Sequence, residues 1–160
     1  MKSYEVHIYT DGASKGNPGP AGYGVVMEMV GTPYKKEFYE GFRLSTNNRM
    51  ELLAVIVGLE KLRKPGTTVL VTSDSKYVID SVVKGWVFGW EKKNFSGKKN
   101  PDLWMRFLKI YRKHQVDFKW IKGHSSHPQN ERCDALAVMA SQQSHLSTDA
   151  FYEKEEGHLF

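Results

Sequence analysis

Cysteine is nearly absent from this chain: Cys133 stands alone, so no disulfide framework can form within it, which fits a reducing compartment. Apolar runs long enough to span a bilayer are also missing, which excludes a transmembrane helix. The opening residues, Met1-Lys2-Ser3-Tyr4-Glu5, run straight into a strand pattern with no secretory signal before it, so a cytoplasmic protein is expected. There are no internal repeats and no low-complexity tracts.

What is present suits one globular domain. The chain has 160 residues, 40% hydrophobic and 26% charged, enough for a sizeable core and close to ordinary soluble composition. A net charge of +5 leans weakly toward a polyanionic partner, although it also serves solubility alone.

The pattern along the chain is β-β-β-α-β-α-α-β-α. Glu5 to Thr10 reads as a strand ending at Asp11-Gly12, and the Gly- and Pro-rich stretch from Gly16 to Pro20 reads as a loop. Gly22 to Val30 and Tyr34 to Phe42 form a hairpin across Gly31-Thr32-Pro33. Leu52, Val55, Ile56, Leu59 and Leu62 recur at helical spacing, widened by Leu53 and Val57, until Pro65-Gly66 stops the helix. Thr67 to Ser73 alternates little, as a strand buried on both faces does. Helices follow at Ser75 to Val83, Pro101 to His114 and Glu131 to Gln142, with a strand at Val116 to Lys122. This order predicts an α/β fold, a mixed sheet covered by helices, within a domain spanning residues 1–143. Residues 144–160 are polar and read as a flexible tail.

The strand at Thr67 to Ser73 is expected to return beside the first in parallel, which makes their boundary a topological switch point. Asp11 and Asp74 then end adjacent strands. Each acid has an ordinary structural reading. Asp11-Gly12 is a common turn pair, and Asp74 could cap the following helix. Glu51 sits three residues after Asn48 as in a capping box, and Asp134 could serve a helix N-terminus. Four carboxylates converging in a basic chain outweigh those separate readings. Divalent cations would neutralise them, and a pair of cations can hold an attacking water and a leaving oxygen on a phosphate. Zinc fits less well, because His124, His127 and Cys133 lack the spacing of a tetrahedral site. His124, in the loop Gly123-His124-Ser125-Ser126-His127-Pro128, can pass protons near neutral pH, or can be an exposed loop histidine.

The second concentration of chemistry runs from Lys84 to Trp104. Lys84, Lys92, Lys93, Lys98 and Lys99 interleave with Trp86, Phe88, Trp90, Phe95 and Trp104. Lysines contact phosphates and aromatics stack on sugars or bases, or pack as core. Trp90 and Trp104 are expected to be structural in part, with the lysines facing a duplex.

The segments YTDGASKGNPGPAGYG, STNNRMEL, VTSDSKYV, NPDLW and WIKGHSSHPQNERCDALA closely resemble the type I ribonuclease H family, the small bacterial kind, over Tyr4 to Ala140. The resemblance implies a five-stranded mixed sheet of order 3-2-1-4-5 flanked by helices. It also implies metal-dependent endonucleolytic hydrolysis of the RNA strand in RNA/DNA hybrids, giving 5′-phosphate and 3′-hydroxyl ends. Asp11, Glu51, Asp74 and Asp134 match the family's metal-binding acids, for two Mg2+ ions or Mn2+. His124 matches its loop histidine, for proton transfer or product release. The segment Lys84 to Lys99 resembles the family's basic protrusion, and brings in Lys92, Lys93, Lys98 and Lys99 as substrate contacts. Asn17, Asn47 and Asn48 match contacts to RNA 2′-hydroxyls, a group that an amide can both donate to and accept from. Thr46 and Asn100 match positions that hold a DNA phosphate, and Trp86 an aromatic near a DNA sugar. Lys76 departs from the neutral residues common at its position and is expected to touch substrate. The Ser125-Ser126 pair departs from the smaller residues common there. A monomer is expected.

Two rivals accompany this reading. A hybrid-binding module without catalysis could share the fold, but intact carboxylates would repel its ligand. A strand-transfer nuclease of the integrase type shares the acid cluster but lacks the GNPGP turn, the paired asparagines and the basic protrusion.

Overall fold

The computed structural model describes residues 2–123 and 126–156. Five strands form one sheet in the order β3-β2-β1-β4-β5. They are β1 (Val6–Ser14), β2 (Gly19–Met29), β3 (Lys35–Ser45), β4 (Thr68–Ser73) and β5 (Gln115–Trp120). The first three make an antiparallel meander, β4 pairs with β1 in parallel, and β5 extends the parallel half. The switch point expected between β1 and β4 is therefore present. The helices are α1 (Asn47–Glu60), α2 (Lys76–Val83), α3 (Trp86–Lys92), α4 (Pro101–Tyr111), α5 (Pro128–Ser141) and α6 (Ala150–Glu155).

The two faces of the sheet bury unequal cores. On one, Ile8, Val25, Val69 and Val71 pack with α1 and with Trp104, Phe107 and Leu108 of α4 in one large cluster. Every residue of α1 from Arg49 to Leu59 is buried, the apolar side chains in this cluster and the charged Arg49 and Glu51 against polar partners. On the other face, α5 lies across β1, β2 and β3 and buries Cys133 and Leu136 against Val26 and Tyr9.

Three local expectations change. The first strand does not end at Asp11-Gly12: β1 continues to Ser14, because β2 pairs with it residue by residue, Asp11 opposite Gly24 and Ser14 opposite Ala21. The cap of α1 is Thr46, not Asn48, and its side chain accepts from the Arg49 N–H at 3.2 Å. Glu51 is thus one turn inside the helix and no part of a capping box.

The polar C-terminal segment, expected to be a flexible tail, is instead docked as far as Glu156. Ser147 bridges to Phe42, its N–H donating to the Gly41 carbonyl at 2.8 Å. The Asp149 carboxylate takes Arg49 Nε at 2.7 Å, Arg49 Nη2 at 2.9 Å and Ser45 Oγ at 2.6 Å. Glu153 of α6 takes Arg43 Nε at 2.9 Å. Polar composition does not prevent docking when each buried charge has a partner. Arg49 is the hub: its guanidinium also donates two bonds to Asp102, at 2.9 and 2.7 Å, and one to Asn100 Oδ1 at 3.2 Å.

Candidate functional site

Two absent side chains let the acids meet. A Cβ on Gly12 would lie 2.6 Å from the Glu51 nitrogen and 2.8 Å from Met50 Cβ, so only glycine allows α1 to approach β1 this closely. A Cβ on Gly24, opposite Asp11, would lie 2.8 Å from Leu136 Cβ; glycine there lets α5 bring Asp134 toward the same spot. Asp74 follows β4 directly, and it is not the helix cap: Ser75 is, accepting from the Val78 N–H at 3.2 Å.

Carboxylate oxygens of Asp11, Glu51 and Asp74 lie within 4.8 Å of one another. Asp134 is outside that group but lines the same open cleft, of about 340 Å³, together with Gly12, Asn47, Asn48 and Lys76. The Gly12 N–H donates to Asp11 Oδ1 at 2.9 Å and also to the Glu51 carboxylate. Burial pushes the Asp11 carboxyl up to about 7; the Asp74 charge adds to this, and the Glu51 and Gly12 hydrogen bonds oppose it. Burial, then the Asp11 charge, raises Glu51 well above the ordinary carboxylate range. A compact, hard oxygen set whose members resist ionising together is the donor chemistry that a divalent cation of the magnesium type satisfies. No His/Cys set accompanies it among the described residues. His127 is instead the N-cap of α5, its Nδ1 accepting from the Asn130 N–H, and Cys133 is buried with its thiol pushed up by that burial.

The direction of these shifts sets a pH dependence. Asp11 binds a proton more tightly in the folded chain than its ordinary value of 3.8. Metal-free stability should therefore fall as pH rises from about 4 to about 7 and stay low above it. Mg2+ competes with those protons, so its stabilising effect should grow across the same window. Thermal melts at pH 5 and pH 8, with and without Mg2+, check both signs; a larger Mg2+ shift at pH 5 would contradict the arrangement.

Beside the acids lies a second, larger cleft of about 620 Å³, whose lining includes Asn17, Thr46, Asn48, Lys98, Lys99, Asn100, Phe151 and Tyr152. Asn17 Oδ1 accepts the Asn47 N–H at 3.1 Å, and the Ser14 hydroxyl donates to Asn47 Oδ1 at 2.9 Å, tying the end of β1 and the β1–β2 turn to the start of α1. The Asn100 carboxamide is oriented at both ends, accepting from Arg49 and donating to the Tyr77 hydroxyl at 2.9 Å. That hydroxyl also accepts the Trp104 indole N–H at 2.9 Å. Arg49, Tyr77 and Asp149 were not foreseen as supports of this cleft; Arg49 and Tyr77 sit inside recognised segments, whereas nothing in the local sequence marks Asp149.

The basic stretch folds as α3 followed by turns. Val87, Phe95 and Trp104 are buried and Trp90 is half-buried, as expected for structural aromatics. Lys92, Lys93, Lys98 and Lys99 are exposed, and so is Trp86, with the Lys84 ammonium 5.2 Å from its ring centre. Arg112 holds Glu91 through two hydrogen bonds, 2.8 and 2.6 Å, fastening α3 to the end of α4. His124 and Ser125 lie outside the described residues.

The family model described as RNase H matches residues 3–142. A ribonuclease H of Trichodesmium erythraeum is 49% identical over 157 residues, covering 95% of this chain and 98% of the relative. The crystal structure of LC9-RNase H1, a type 1 RNase H with the type 2 active-site motif, aligns with a TM-score of 0.77 at 26% identity, over 100% of this chain and 87% of that one. LC11-RNase H1, crystallised in complex with an RNA/DNA hybrid, aligns with a TM-score of 0.61 at 29% identity, over 84% and 95% of the two chains.

Proposed function

Starting from a chain that belongs to the ribonuclease H family, and so hydrolyses the RNA strand of RNA/DNA hybrids, we propose that Asp11, Glu51, Asp74 and Asp134 form its catalytic metal site. The observation that carries this is the convergence of three carboxylates within 4.8 Å in an open cleft whose rim is amide and lysine. When bound, two Mg2+ ions, or Mn2+, supply Lewis acidity to the attacking water and to the leaving oxygen, giving 5′-phosphate and 3′-hydroxyl ends.

The chain's own groups do the rest. Asp11 stands on the sheet, while Glu51, Asp74 and Asp134 come to it from α1, the β4–α2 junction and α5. Asn17, Asn47 and Asn48 read 2′-hydroxyls and thereby the RNA strand. Thr46 and the oriented Asn100 amide hold a DNA phosphate, with Lys98 and Lys99 beside them, while Lys92, Lys93 and Trp86 extend the DNA contact. Lys76 meets substrate at the edge of the acid cleft, and His124 assists proton transfer or product release. The protein acts as a monomer in the cytoplasm; no helix among the described residues is long and apolar enough to cross a membrane. A module for binding alone would gain nothing from carboxylates buried beside its phosphate contacts.

Gel-resolved cleavage of an end-labelled RNA strand, paired with DNA or with RNA, is the direct test. The expected result is cutting of the DNA-paired RNA only, in Mg2+ and not in chelator. Hybrid binding without any cutting would overturn the catalytic reading.

A further inference from the structure

Lys76 and Trp120 form a pair that the acid site does not by itself require. Trp120 ends β5 opposite Ser73, and Lys76 opens α2, so the two residues flank Asp74. The indole edge and face have separate tasks. Its Nε1–H donates to the Asp74 carbonyl at 3.0 Å, and the Lys76 ammonium lies 4.8 Å from its ring centre. Both residues are exposed, Trp120 at 43%.

The choice of partner is informative. A lysine two residues from one acid, lining a cleft with four, would be expected to collapse onto a carboxylate. No ion pair involving Lys76 is among those formed by the described residues. The aromatic face instead holds a flexible, strongly hydrated cation at one place while leaving its N–H donors in water. An ammonium kept exposed and in position beside a phosphate-cleaving site is suited to a second phosphate.

Successive phosphates on one strand of a DNA duplex are about 3.4 Å apart along the helix axis, and those of a hybrid are spaced on the same scale, so a strand whose scissile phosphate sits at Asp11, Glu51 and Asp74 carries its neighbours past this edge. We propose that Lys76 contacts an RNA-strand phosphate next to the scissile one, and that Trp120 is the positioning residue that presets it. This rests on the acid cluster being the cleavage site. It adds an RNA-side electrostatic contact, distinct from the DNA-side contacts assigned to Asn100 and the protrusion lysines.

The test measures hybrid binding in chelator, where catalysis is silent, over a series of salt concentrations. Lys76→Gln should weaken binding about three- to tenfold at 0.1 M salt and reduce the slope of log affinity against log salt by about 1. Trp120→Leu should weaken binding to a similar extent, and in the Lys76→Gln background it should add little. Trp120→Phe keeps a ring under the ammonium and should retain affinity, which guards against a folding defect; near-ultraviolet circular dichroism checks the fold of each variant. Fully additive losses would overturn the positioning role. Unchanged binding by Lys76→Gln, while Lys98→Gln still weakens it, would overturn the phosphate contact and leave the nuclease reading intact. Absence of hybrid binding by the unaltered protein would instead remove the reading on which the proposal stands.

Discussion

Asp11→Asn should reduce turnover more than about 100-fold, beyond the usual cost of disturbing even an outer-shell partner of a metal ligand, while hybrid binding survives. The asparagine keeps the size of the side chain and one oxygen, so β1 and its pairing with Gly24 stay intact. What it removes is the charge that the cation needs and that the neighbouring acids resist. Burial and Asp74 push Asp11 up to about 7, and its own charge is the next largest cause, after burial, of the raised Glu51. Neutralising it should therefore stabilise the metal-free fold above pH 7, and it should leave chelator-treated protein binding hybrid at least as tightly as before. Single-turnover cleavage with filter binding in parallel separates the two effects. Turnover retained near the original rate would disprove the assignment of the acids, and loss of binding together with turnover would point to misfolding.

The second large effect lies far from the chemistry. Asp149→Asn should lower stability by about 3 kcal/mol, as breaking a buried charge pair from one side does, and the melting temperature by roughly 6–12 °C for a chain of this size. The Arg49 side chain is 2% exposed and that of Asp149 9% exposed, so water cannot replace what is lost. Burial works against the Arg49 charge, yet its hydrogen bonds to Asp102 and Asp149 outweigh it and hold the guanidinium more firmly protonated than usual. Arg49→Met alone should cost at least as much, because it strands Asp149 with Ser45 as its remaining partner of this network. The double variant Arg49→Met/Asp149→Asn should cost less than the two single losses summed, since it leaves neither charge of that pair orphaned. Urea unfolding of all four proteins measures this. Additive losses would mean that the two residues act independently.

The acids were legible because each sits in a segment that resembles the ribonuclease H family, and the β1–β4 switch point follows from strand order alone. The continuation of β1 through Asp11 was not legible. Gly12 and the glycines that follow signal a turn locally, and only pairing with β2 across the hairpin supplies the hydrogen bonds that keep them extended. The cap of α1 was misplaced by two residues because Thr46 and Asn48 are both good N-cap types, and tertiary packing decides between them. The docked C-terminal segment was hidden for a different reason. Its polar residues look solvated until Arg43 and Arg49, 110 and 100 positions earlier, are placed against Glu153 and Asp149.

Asp11 rides on the sheet's middle strand, hydrogen-bonded to β2 on one side and, over its first half, to β4 on the other. The other three acids reach it from elements packed on the sheet: the second turn of α1, the β4–α2 junction and α5. The cluster is thus an arch whose stones come from four distant places in the chain. It stands only while the sheet and both helices are seated, so occupancy by a cation would report the integrity of the whole fold rather than of one segment.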